Sequence, residues 1–90
     1  MKVNRSFVLR EVGGQCVAVP VGRSCKTFRG VIKLNDTARL VWESVLAGDS
    51  EEQTVSKMLD QYDVTVEHAH SAYRNTVERM REIGAVSEDV

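Results

Sequence analysis

The sequence predicts an α+β fold in which a three-stranded antiparallel sheet is followed by three helices, in the order β-β-β-α-α-α. Three observations carry that prediction. Residues 7–34 are strand-like in composition, whereas residues 36–83 repeat their apolar positions every three to four residues. A Gly13-Gly14 pair divides two β-forming runs. Residues suited to helix capping, Asn35, Ser50 and Thr65, precede the three helical stretches.

The first strand is Phe7-Val8-Leu9-Arg10-Glu11-Val12 and the second is Gln15-Cys16-Val17-Ala18-Val19. Glycine reaches positive φ without a Cβ clash, so the pair between them predicts a two-residue hairpin loop. That register pairs Val12 with Gln15, Arg10 with Val17 and Val8 with Val19 on one face. Leu9 with Ala18 and Glu11 with Cys16 take the other. Both faces are mixed, so the pattern leaves open which one is buried. Pro20 cannot donate to a ladder and places the second strand at its end or at an edge. A polar loop with Gly22 covers residues 21–26, and the third strand is read over residues 27–34. Gly30 inside that run marks either a bulge or a simple bend.

The first helix begins at Asn35 or Asp36. Its stripe is Ala38, Val41, Trp42, Val45 and Leu46, and Gly48 ends it as a left-handed cap. Ser50-Glu51-Glu52-Gln53 is a capping-box pattern opening the second helix, which buries Val55, Met58, Leu59 and Tyr62. Thr65 caps the third helix, and Glu67 complements its dipole. Val66, Ala69, Tyr73, Val77, Met80 and Ile83 form its stripe, and Gly84 stops it. At ~18 residues and 1.5 Å per residue this helix is about 27 Å long, enough to cross the domain.

Ninety residues make one domain, covering 1–90. A chain of this size buries roughly 60–65% of its unfolded surface, which supports one thin core and no deep cavity. Twelve basic and thirteen acidic side chains give a formal net charge of −1, which lacks the electrostatic footprint of nucleic-acid binding. No apolar run approaches the ~20 residues of a membrane helix, and no signal-peptide core is visible, so a cytoplasmic location is expected. Cys16 and Cys25 form neither a disulfide framework nor a zinc pattern and are read as free thiols.

No catalytic or metal constellation emerges. His68 and His70 stand two apart on a helix and do not share a face. No nucleophile elbow or glycine-rich phosphate loop is present, so no enzyme activity and no cofactor are expected. Trp42, the single tryptophan, lies on the first helix's stripe and reads as a core anchor. On the third helix Arg74, Glu78, Arg79, Arg81 and Glu82 interleave both signs, the pattern of a solvated face that leaves room for a binding role.

The order of elements and several residues together resemble the PqqD family, whose fold is also called the RiPP recognition element. The resemblance spans about residues 5–86. Its most specific part is Ile32-Lys33-Leu34-Asn35-Asp36-Thr37-Ala38 with Val41-Trp42-Glu43, which is similar to the family's junction of third strand and first helix. Phe7 to Gly14, residues 17–22, Ser50-Glu51-Glu52, Tyr62-Asp63-Val64 and Ile83-Gly84 match further landmarks. The chain departs from the family at Ala72, where many members carry an aspartate. It departs also in the basic loop Arg23-Ser24-Cys25-Lys26, and at Val21, which follows Pro20 in place of an acid. These departures point away from pyrroloquinoline quinone as the product and toward a peptide natural product.

The resemblance implies a winged helix-turn-helix-like peptide chaperone that binds the leader of a ribosomally made precursor peptide. It would present that peptide to a modifying enzyme, a radical SAM/SPASM-type maturase. The leader would add as a strand to the third strand, in the groove beside the third helix. The implied peptide-binding residues are Val31, Ile32, Lys33 and Leu34 on the strand, with His70, Tyr73, Arg74, Val77 and Arg81 on the helix. Edge strands offer unpaired N–H and C=O groups to such a peptide, or to a second copy of the chain in a homodimer. The competing reading of three helices beside a small sheet is a winged-helix DNA-binding protein. Neither a nucleic-acid nor a membrane partner is expected.

Overall fold

The computed structural model describes residues 2–3, 7–21 and 30–87. Among these residues five strands and three helices follow in chain order: β1 (Lys2–Val3), β2 (Phe7–Val12), β3 (Gln15–Pro20), β4 (Ile32–Leu34), α1 (Asp36–Leu46), α2 (Glu51–Gln61), α3 (Val66–Glu82) and β5 (Val86–Ser87). The three central strands form one antiparallel sheet in the order β2-β3-β4. The expected α+β arrangement, three strands and then three helices, is the one observed.

The β2–β3 hairpin has the register read from the sequence, from Val12↔Gln15 at the turn to Val8↔Val19. Gly13 and Gly14 both take positive φ, +58° and +81°, which lets a two-residue turn follow the twist of its strands. Which face is buried, open on the sequence, is settled by packing: Phe7, Ala18 and Ile32 join the core cluster, with Leu9 and Leu34 packed against it. The third strand is shorter than expected. β4 holds residues 32–34, and Gly30 lies ahead of it at φ +111°, so it is a bend before the strand and not a bulge within it. Residues 27–29, read as strand, lie outside the described residues, as does Cys25.

Each helix starts on the predicted cap. The Asn35 side chain accepts from the Ala38 N–H at 2.8 Å, and Thr65 from His68 at 3.0 Å. Ser50 and Gln53 exchange both hydrogen bonds of a capping box. At the far end of α1, Gly48 N–H reaches Val45 O and Asp49 N–H reaches Ser44 O; at the end of α3, Gly84 reaches Arg81 and Ala85 reaches Met80. Both are Schellman closures with glycine in the left-handed position.

The helical stripes bury Val41, Trp42, Val45, Val55, Met58, Ala69, Val77 and Met80. Two expected core residues are corrected. Leu59 is 39% and Val66 53% exposed. Leu59 is rotated about 100° from Met58, away from the packed face, and Val66 is the first residue of its helix. Leu40, Ser44 and Thr54 are buried in addition; the Thr54 hydroxyl donates to Ser50 O at 2.8 Å and so enters the core satisfied.

A second, two-stranded ribbon was not legible in the sequence. β1 and β5 pair through Lys2↔Ser87 and Val3↔Val86. Two-residue strands carry no readable alternation, and this pairing is non-local. It follows the glycine turn that ends α3 and sends Ala85 and Val86 into the core.

Trp42 is 1% exposed and meets Phe7 edge to face, with centroids 6.3 Å apart, so it ties α1 to the sheet. Replacement of Trp42 by alanine is expected to destabilise the protein by about 3–5 kcal/mol, the cost of deleting a buried aromatic. Urea denaturation measures it; a loss under about 1 kcal/mol would contradict the packing described.

Candidate functional site

β4 has two edges. One pairs with β3 through Ala18↔Ile32, Val17↔Lys33 and Cys16↔Leu34, and the other meets no strand among the described residues. That outer edge offers backbone donors and acceptors to an incoming chain. Along the strand Ile32 is buried, Lys33 exposed and Leu34 half-buried, the alternation of a pleated edge, while Val31 just before it is exposed.

A groove of about 310 Å³ runs beside this edge. Residues 31–34 form one wall, Ala38 and Trp42 of α1 lie beneath, and Asn75, Thr76 and Arg79 of α3 form the other wall. A second hollow of about 230 Å³ shares Ala38, Asn75 and Thr76 with it and extends to His68, Ser71 and Ala72. Residues 68, 71, 72, 75, 76 and 79 are spaced by threes and fours, so one face of α3 lines the combined groove. Eleven residues of helix rise give it about 16 Å, room for about five residues of extended chain.

All four strand residues expected at the site line this groove. The five expected helix residues do not. His70 Nδ1 lies 2.6 Å from Glu51 Oε2, and Arg74 Nε lies 3.4 Å from the same oxygen, so both face the start of α2. Tyr73 is half-buried against the core, and its phenol is held above its ordinary pKa by burial and then by Glu51 and Glu52. Val77 is inside the core, and Arg81 is exposed on the helix, outside the groove lining. The reason is rotational. Tyr73 and Val77 belong to the apolar stripe, and the stripe faces the other helices. The groove wall is the neighbouring polar row, and in sequence a row of Ser71, Asn75, Thr76 and Arg79 reads as solvated surface. Its position beside a stripe that packs away from the strand is the signal that identifies it.

A different hollow, lined in part by Asp36, Arg39, Glu43 and Lys57, lies between α1 and α2. Both of its cations are already matched: Arg39 bonds Glu43 at 3.1 Å, and Lys57 pairs with Asp49. It has no strand edge beside it. Among the described residues no group of three or more His, Cys, Asp or Glu side chains is placed to hold a metal ion. His68 lines the groove while His70 turns to Glu51, as their two-residue spacing requires.

Cys16 is a free, buried thiol opposite Leu34. Burial pushes its pKa up; Arg39 opposes that, and Glu43 and Glu11 add to it.

Three comparisons bear on this geometry. The family model described as coenzyme PQQ synthesis protein D (PqqD) matches residues 15–86. No curated protein matches the chain in sequence. Two solved structures share its fold. One is described as TbiB1 in complex with the TbiA(beta) leader peptide, with a TM-score of 0.75, 13% identity, and coverage of 100% of this chain and 99% of that one. The other is described as lasso peptide synthetase B1 complexed with the leader peptide, with a TM-score of 0.75, 22% identity, and coverage of 97% and 96%.

With Cys25→Ser isolating Cys16, an aromatic disulfide reagent is expected to react with the folded protein about tenfold or more slowly than with the denatured chain, because reaction awaits local opening. The raised pKa favours the protonated thiol in the folded state. Its stabilising effect is complete below the unfolded thiol's pKa and is lost as pH rises through the folded value. Equal rates in both states, followed by absorbance, would place the thiol at the surface.

Proposed function

Since the chain belongs to the PqqD family, we propose that it binds the leader segment of a ribosomally made precursor peptide as a non-catalytic module. The observation that carries this reading is the open edge of β4 facing a polar row of α3 across an apolar floor. A leader segment adds to that edge as a fourth strand. Main-chain hydrogen bonds to β4 supply affinity, and alternate side chains enter the groove over Ile32, Ala38 and Trp42. The peptide-contacting set is Val31, Ile32, Lys33 and Leu34 with Asn75, Thr76 and Arg79.

Two solved proteins of the same fold are described with leader peptides bound, which supports the peptide as partner. The module then presents the peptide to a modifying enzyme, for which the radical SAM/SPASM class remains our proposal, as does a cytoplasmic site of action. No helix among the described residues is long and apolar enough to cross a membrane. A homodimer through the β4 edge would compete with the peptide for the same hydrogen bonds. DNA binding by a winged helix is the weaker reading: Arg74 is tied to Glu51, and the chain carries a formal charge of −1.

Trp42 gives the test. It is the single tryptophan, it lines the groove, and its buried Nε1 has no hydrogen-bond partner among the described residues. Titration with the leader segment is expected to move the one indole N–H resonance. Thr76→Tyr, which fills the groove without touching the ladder or adding a tryptophan, is expected to weaken binding by at least about tenfold, since water-free packing at the floor is lost. Calorimetric titration of a folded Thr76→Tyr protein with undiminished affinity would refute the groove as the site.

A further inference from the structure

We infer that the groove selects a peptide segment in which carboxylate side chains alternate with apolar ones, with Lys33 and Arg79 as the counter-charges. This rests on the groove being the peptide site and specifies what the peptide must carry. The chain has thirteen acidic and twelve basic residues, yet among the described residues no Asp or Glu lines either part of the groove. Lys33 and Arg79 do line it, both exposed. Neither has an ion-pair partner among the described residues. Three cations elsewhere are matched, Arg39 by Glu43, Lys57 by Asp49 and Arg74 by Glu51. Lys33 and Arg79 therefore leave uncompensated positive charge where the peptide would lie.

The pleat sets the spacing. Ile32 and Leu34 turn to the core side of β4, so Lys33 stands on the opposite face. A strand added to β4 shares that alternation. Its residues on the side of Ile32 meet the apolar floor at Ala38 and Trp42, and those between them stand beside Lys33. Arg79 stands on the helix wall, exposed. The chemistry called for is an extended run of aliphatic or aromatic residues interleaved with Asp or Glu. A basic peptide would meet like charge on both walls, which costs binding and slows encounter.

A random peptide library displayed on phage and selected on the folded full chain tests this. Enriched peptides are expected to hold Asp and Glu over Lys and Arg by about threefold or more relative to the unselected library, at positions alternating with apolar residues. For one enriched acidic peptide, Lys33→Glu/Arg79→Glu is expected to lower affinity by roughly five- to tenfold, and Lys33→Gln/Arg79→Gln by less, the scale of exposed ion pairs made repulsive. Circular dichroism checks that both variants fold. Enriched peptides with the library's own ratio of acid to base, or an affinity indifferent to the charge reversal, would overturn the inference while leaving peptide binding in place. A selection that enriches nothing, or peptides that leave the Trp42 indole resonance unmoved, would instead overturn the reading beneath it, and the inference with it.

Discussion

Asn35 turns the chain from strand to helix within one residue, and the rest of the site depends on that turn. Its backbone stays extended, with φ −75° and ψ 176°, while its side chain already accepts the Ala38 N–H. β4 therefore stops after Leu34, and α1 leaves the sheet at once. Seven residues later the helix delivers Trp42 beneath the same strand. The cap thus fixes one wall and the floor of the groove together. A longer strand would carry the helix away from its own edge, and the hollow under residues 31–34 would not form.

The sheet has a second edge, β2, and the contrast between the two edges explains why one is suited to recognition. β2 is six residues long and exposes Arg10, Glu11 and Val12 toward its turn, charges that discourage pairing with another chain. No groove described above adjoins it. β4 is short and has an apolar floor beside it, and α3 stands opposite. A ligand at β4 can bury side chains as well as pair its backbone, and burial is what makes strand addition selective.

Much of this was legible in the sequence because the signals were local. The Gly13-Gly14 hairpin and its register, the three caps and both glycine closures follow from neighbours within five residues. Leu34-Asn35-Asp36 announced the junction and, through its resemblance to a family, the site's location on the strand. What was not legible was non-local. The β1–β5 ribbon joins residues from opposite ends of the chain. The helix wall required knowing which way α3 is rotated. Apolar periodicity identifies the stripe that packs, and here that stripe turns to the other helices, leaving the polar row with Asn75, Thr76 and Arg79 to face the strand. Tyr73 and Val77, which the resemblance implied for the peptide site, belong to that apolar stripe and so pack in or against the core.

We propose that the outer edge of β4, and no other edge, receives the peptide. Backbone hydrogen exchange, read residue by residue with and without saturating leader peptide, tests it most directly. Slowed exchange on binding is expected to concentrate at amides of residues 31–34, while amides of residues 7–12 on the opposite edge keep their free-state rates. Protection acquired along residues 7–12, with residues 31–34 unchanged, would contradict it.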